Sequence, residues 1–98
     1  MAVYKLTLQK TYYDKGFFNI GVGYDRYVRR TNGPVDLLLG REGEQIQGKV
    51  SRDANQNGTP RIFGGAALSR WFKANFQPMD VVAVDLSDRD CIVLERKE

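Results

Sequence analysis

The sequence predicts a mainly β (α+β) fold in which seven short strands form a closed or partly closed barrel, with two short helices capping its ends. Three observations predict it. Apolar and polar residues alternate in several short runs, as in residues 4–8 and 35–39. Turn signals such as Asn57-Gly58 separate these runs. Leu68 and Phe72 belong to a stretch with one apolar helical face. The chain has 98 residues, 42% of them hydrophobic, so residues 1–98 are expected to form one domain.

Each element has its own signal. Residues 4–8 alternate with period two, and residues 17–20 form a short apolar run. The spacing of Tyr24, Tyr27 and Val28 predicts a short helix, which Asn32-Gly33-Pro34 terminates. Beyond it, the predicted elements are strands at residues 35–39, 46–50 and 61–63, a helix over residues 68–76, and strands at residues 82–86 and 92–94.

The composition favours a cytoplasmic protein. The sequence has no apolar run long enough to span a membrane and no secretory leader pattern, so neither insertion nor secretion is expected. The single cysteine, Cys91, lies in an apolar strand and has no partner for an internal disulfide. We therefore expect it to be a buried small hydrophobic residue of a reduced protein.

The charges are distributed unevenly along the chain. The 15 basic and 12 acidic residues give a net charge of only +3. Residues 10–30 contain five basic and two acidic residues, and residues 49–61 contain three and one. Residues 76–98, in contrast, contain six acidic and three basic residues. This polarity predicts an anionic partner that approaches one side of the domain.

The sequence offers little for catalysis. It contains no histidine and one cysteine, so the commonest general base and a structural zinc site are both missing. We expect no enzyme activity, no metal and no cofactor in this chain. The pair Gly64-Gly65 precedes the second helix, where its amides could bind a phosphate or simply leave room for a sharp turn.

Two segments carry the side chains expected at a DNA interface. Lysine and arginine suit phosphates, arginine can also fork onto guanine, and asparagine or glutamine can pair with adenine. Tyrosine and threonine add sugar, phosphate and stacking contacts. The alternatives are tyrosines that pack on the barrel end, a solvated hairpin loop, an ordinary solvated helix face, and an Arg61 that turns inward to pair with an acid. The candidate residues are Lys10, Tyr12, Tyr13 and Lys15 in the first segment, Arg26 in the first helix, and Arg52, Asp53, Asn55, Gln56, Asn57, Thr59 and Arg61 in the second segment.

The order of elements resembles the DNA-binding pseudobarrel, a family that includes the plant B-three transcription-factor domain and the recognition domains of EcoRII-like bacterial restriction endonucleases. The likeness is carried by residues 10–20 and 51–61 as two arms, residues 40–50 as the middle strand pair, residues 67–73 as the second helix, and residues 77–82. The family usually has Gly-Asp where this chain has Met79-Asp80. The resemblance implies a seven-stranded open pseudobarrel whose arms enter the major groove. The implied contacts are Lys10, Tyr12, Lys15 and Asn19 from the first arm, and Arg52, Asn55, Asn57 and Arg61 from the second.

Three functions are compatible with these patterns. The first is sequence-specific binding of double-stranded DNA by a monomeric recognition module, with a nuclease on another domain or chain. Replacing Arg52 by alanine would then weaken cognate DNA more than random DNA, whereas Lys15→Ala would weaken both alike. The second is a swapped-barrel dimeric transcriptional regulator or antitoxin, since residues 76–94 also resemble that family's closing hairpin. The third is a protein-interaction module without nucleic acid.

Overall fold

In the computed structural model, which describes residues 2–96, the chain forms one open, curled sheet of seven strands with a few short helices. The fold is mainly β and has the half-barrel form expected of a pseudobarrel. The elements are β1 (Val3–Thr7), α1 (Lys10–Lys15), β2 (Phe17–Asn19), a 3-10 helix (Val22–Tyr27), β3 (Gly33–Leu39), β4 (Glu44–Ser51), β5 (Arg61–Phe63), α2 (Gly65–Asn75), β6 (Val81–Asp88) and β7 (Cys91–Arg96).

The seven predicted strands are confirmed. Their order in the sheet is β1-β6-β7-β3-β4-β5-β2, so β1 and β2 are the two edges. Neighbouring strands pair antiparallel except β3 and β7, which are parallel. Residues 2–96 contain no helix that is long and apolar enough to cross a membrane.

The core explains the alternating patterns. Leu37 and Leu39 of β3 are buried, whereas Asp36 and Leu38 between and beside them are partly exposed. Leu68 and Phe72 of α2 are fully buried in the same cluster. Helix α2 therefore packs against the apolar side of the curled sheet. The other side of the sheet faces solvent.

The connection between β1 and β2 forms helix α1, whereas the sequence analysis placed it in the first arm without predicting a helix. Gly16 ends this helix in the left-handed conformation (φ 74°), and a Cβ atom at this position would lie 2.0 Å from the carbonyl oxygen of Gly65. Ser69 of α2 donates its hydroxyl to the carbonyl oxygens of Tyr13 and Asp14, at 3.0 Å each. A six-residue helix is too short to show a helical period in sequence, and here tertiary contacts hold it.

Gly64 and Gly65 provide room for a sharp turn. Their N–H groups donate to the carbonyl oxygen of Gly16 at 2.8 and 3.0 Å, so these two amides are already bonded within the chain. Gly65 also has a φ of 66°, which favours glycine. Of the two alternatives for this pair, the structure supports the turn.

Cys91 is only partly buried, which corrects the expectation of a buried thiol. It is the first residue of β7 and alternates with the buried Ile92, so its side chain lies on the face of the sheet that points away from the core. Partial burial, together with the nearby charges of Asp88 and Asp36, raises the pKa of the thiol.

Met79 carries a strained backbone in the turn before β6. Its φ is 76°, and its side chain is 65% exposed, so few contacts compensate for the strain. Its N–H group donates to the carbonyl oxygen of Leu8, which fixes the conformation. Glycine adopts this φ without a steric cost.

We therefore expect Met79→Gly to raise the free energy of unfolding by about 1 kcal/mol, because it removes the left-handed strain. Urea denaturation of the purified variant measures this change. Met79→Ala is the control, since it removes the side chain but keeps the Cβ atom and the strain. Equal stabilities for the two variants would contradict the explanation.

Candidate nucleic-acid interface

A polar cluster lies on the outer face of the β2–β5 strand pair. Phe18 and Ile62 are fully buried, so the side chains next to them in sequence point to the other face of the sheet. Asn19 of β2 and Arg61 of β5 are direct cross-strand partners on that outer face. Asn55 of the β4–β5 loop and Tyr12 of α1 complete the cluster. We call these four residues the amide–arginine cluster.

Hydrogen bonds connect the four side chains of the cluster into one network. The Oδ1 atom of Asn19 accepts from Arg61 Nε and from Asn55 Nδ2, both at 3.0 Å. The Nδ2 atom of Asn19 donates to the Tyr12 hydroxyl at 3.1 Å. Arg61 Nη2 in turn donates to Asn55 Oδ1 at 3.1 Å. The two arms predicted from sequence are thus connected through Asn19.

Aromatic rings fix the plane of the arginine. The guanidinium carbon of Arg61 lies 4.6 Å from the centre of the Phe17 ring. Phe17 contacts Tyr12 edge-on at 5.4 Å and packs against Phe63 at 5.9 Å. A guanidinium that stacks on an aromatic face gains a cation–π interaction and loses rotational freedom.

The guanidinium of Arg61 has no acidic partner among the described residues. Within residues 2–96 it forms no ion pair, and its Nη1 atom has no hydrogen-bond partner. The sequence-based alternative, in which Arg61 turns inward to an acidic partner, is therefore wrong for this part of the chain. The neutral side-chain amides of Asn19 and Asn55 and the ring of Phe17 hold the guanidinium of Arg61 instead.

The β4–β5 loop forms a polar cleft beside the cluster. The Oδ1 atom of Asn57 accepts from the N–H group and the hydroxyl of Thr59, at 3.2 and 2.7 Å. Gly58 has a φ of 76°, and its N–H group donates to the carbonyl oxygen of Asn55. This confirms the predicted turn. The cleft has a volume of about 550 Å³ and is lined by Asn19, Ala54, Asn55, Gln56, Asn57 and Thr59.

Arg52 lies at the base of this loop and is bound to the protein. Its guanidinium forms an ion pair with the Asp25 carboxylate and donates to the carbonyl oxygens of Asp25, Val28 and Arg29, the last two at 3.0 Å. Only 15% of its side chain is exposed. These bonds tie the loop to the 3-10 helix and leave Arg52 little capacity to reach a base.

Asp53 has a similar structural contact. Asn32 donates its Nδ2 to Asp53 Oδ2 at 2.8 Å, while its Oδ1 accepts from the Arg52 N–H at 2.8 Å. Sequence reasoning missed Asp25 and Asn32 because they lie 27 and 20 positions away from Arg52 in the chain. Nothing in the local pattern shows this pairing.

The remaining candidates are distributed over α1 and the 3-10 helix. Lys10 pairs with Asp14 at 2.6 Å, and this hydrogen bond raises the pKa of the lysine and lowers that of the carboxyl. Lys15 is exposed at the end of α1, and Tyr13 packs half-buried against the core. The Arg26 guanidinium is exposed beside the Tyr27 ring, at 5.0 Å from its centre.

The outer face also includes residues that sequence reasoning did not select. Lys49 and Ser51 of β4 pair with Phe63 and Arg61, so they extend the same face by one strand. Lys49 is exposed. Because Lys49 and Ser51 flank the apolar Val50 in the sequence, their side chains are expected to point away from the core. Only the order of strands in the sheet places them beside Arg61.

The sequence matches no protein-family model and no curated protein. Among solved structures, the fold is similar to that of the N-terminal domain of Helicobacter pylori LlaJI.R1, with a TM-score of 0.55. The similarity covers 97% of this chain and 86% of that one, at 18% sequence identity. At this identity the similarity establishes a common fold.

Proposed function

We propose that this chain is a sequence-specific double-stranded DNA-binding domain. It contacts the major groove with the outer face of the β2–β5 pair and with the loop between β4 and β5. The observation that carries the proposal is that Arg61, held in the amide–arginine cluster, forms no ion pair within residues 2–96.

Two other anchored arginines, Arg41 and Arg52, are held in a different way. Arg41 contacts the carboxylates of Asp85 and Glu95 at 3.1 and 2.9 Å, and Arg52 contacts that of Asp25. Those carboxylates neutralise the two arginines, as expected of structural ion pairs. The Arg61 side chain is held in one conformation although no carboxylate in residues 2–96 pairs with it. This ordering costs side-chain entropy. A fixed and unneutralised guanidinium suits an external acceptor, such as a phosphate or a base edge.

The comparison and the resemblance support the same function. The fold is similar to that of the LlaJI.R1 N-terminal domain, whose name is that of a restriction-type protein. The order of elements resembles the pseudobarrel of B-three and EcoRII-like domains. We propose a recognition module of a restriction-type system, with the nuclease on another domain or chain and no catalytic role for this chain.

The swapped-barrel alternative is less favoured. A single chain provides all seven strands of the sheet, so no strand from a second copy is needed to complete the fold. We expect a monomer in light scattering. A stable dimer that exchanges strands would contradict this part of the proposal.

Selection from a randomised duplex library tests the proposed function. Bound duplexes are sequenced over several rounds at moderate salt, and we expect one short enriched motif. An RNA duplex of the selected sequence is the control. It should bind more weakly, because the major groove of A-form RNA is too deep and narrow for side chains to read. Retention without enrichment would reduce the function to phosphate binding, and no retention would indicate a protein partner instead.

A further inference from the structure

We propose that Arg61 is the specificity-determining residue of this interface and reads a guanine in the major groove, with Asn19 and Asn55 as its positioning residues. This inference rests on the proposed function, because it assigns one base contact within it. The inference depends on which N–H donors of the Arg61 guanidinium are already hydrogen-bonded within the protein.

A guanidinium has five N–H donors in a planar fork. Arg61 uses its Nε donor for Asn19 Oδ1 and one Nη2 donor for Asn55 Oδ1. These two donors form one edge of the fork. The opposite edge, made of Nη1 and the second Nη2 donor, has no partner in residues 2–96. This edge matches the O6 and N7 acceptors of guanine in spacing and polarity.

The surroundings favour a base edge over a phosphate. The adjacent cleft is lined by amides, a hydroxyl and one alanine, with no basic residue among them. Tight binding of phosphates depends on basic side chains, because each one neutralises a charge. Amide side chains can also bind phosphates, but in addition they match the donor and acceptor patterns of base edges. Arg61 at the border of an amide-lined cleft is therefore placed for base readout.

The two asparagines determine the direction of the fork. Asn19 Oδ1 accepts two hydrogen bonds while Asn19 Nδ2 is held by the Tyr12 hydroxyl, so the amide has one favourable orientation. Asn55 Nδ2 also donates to the carbonyl oxygen of Thr59 at 3.1 Å, which fixes the second amide. With the ring of Phe17 below, Arg61 needs little further ordering when DNA binds.

The test pairs base analogues with an arginine variant in the selected motif. Each guanine is replaced in turn by 7-deazaguanine, which lacks the N7 acceptor and keeps O6. For the wild-type chain, we expect one position at which this change weakens binding about tenfold. For Arg61→Met, which keeps the length of the side chain but has no donor for N7 or O6, we expect no further loss at that position. Methylphosphonate substitution of the flanking phosphates should affect both chains equally.

Each outcome has one meaning. If no motif is enriched, the proposed function fails before Arg61 is tested. If a motif is enriched but lacks guanine, or if 7-deazaguanine weakens both chains equally, only the assignment of Arg61 is overturned. If a single methylphosphonate weakens the wild-type chain and not Arg61→Met, Arg61 binds that phosphate instead. Thermal melting of the variant confirms that it is folded, and Arg61→Gln repeats the test if it is not.

Discussion

Replacing Arg52 by alanine should lower the free energy of unfolding by about 3 kcal/mol, because it leaves the half-buried Asp25 carboxylate without its partner. It also removes the donors for three carbonyl oxygens of the 3-10 helix region. Small domains are stable by only about 5–15 kcal/mol, so the loss is a large share of the total. Urea denaturation should show a lower midpoint with an unchanged slope.

Two variants sharpen this result. Arg52→Lys keeps the charge but provides no planar fork, so we expect an intermediate loss. Gln56→Ala changes an exposed residue of the same loop and should leave stability unchanged. The sequence alone predicted a different effect, a selective loss of cognate DNA binding. Normal stability together with that selective loss would return Arg52 to the role of a base-reading residue.

Replacing Asn19 by aspartate should weaken binding to the selected duplex about tenfold at low salt, and binding to random duplexes less, because it neutralises Arg61 within an unchanged geometry. The aspartate Oδ1 atom can accept the same two hydrogen bonds from Arg61 and Asn55. The Tyr12 hydroxyl, which accepts from Asn19 in the structure, can rotate and donate to the second oxygen. The cluster should therefore stay intact while its net charge falls from +1 to zero.

The measurement is the salt dependence of DNA binding. The slope of log affinity against log salt should become shallower by about 1, and the difference between variant and wild type should shrink as salt rises. Gln45→Glu adds the same charge about 20 Å away along β4, roughly twice the screening length at 0.1 M salt, and should have little effect at that salt concentration. A variant that melts normally but keeps the wild-type affinity and slope would contradict a role for Arg61 in DNA binding.

Several elements could be predicted from the sequence because they depend on local patterns. The alternation in residues 35–39 and the apolar run in residues 92–94 predicted strands, and both are strands in the structure. The turn at Asn57-Gly58 was predicted for the same reason, since it requires only a residue that tolerates a positive φ. Helix α1 was not predicted, because six residues show no period and Ser69 of α2 stabilises it from a distance.

For the candidate interface, the residue types could be predicted from the sequence, but the contacts between them could not. The residue types of the β4–β5 loop indicated polar recognition from the sequence alone, and Asn19, Asn55 and Arg61 were among the candidates. Their individual roles depend on pairings that span 36 and 42 positions, and the ion pair of Arg52 spans 27. The two arginines at the ends of the same loop therefore have opposite environments: Arg52 is neutralised by Asp25, and Arg61 is held by amides.

The sequence by itself determined the seven strands, the polar loop and the uneven charge, because local periodicity and composition are enough for these. The tertiary structure alone decided which arginine is available to a partner. A guanidinium is charged wherever it lies, and its availability depends on whether a carboxylate lies within hydrogen-bond distance. For Arg52 and Arg61 that distance is set by the pairing of β2 with β5 and by the position of the 3-10 helix.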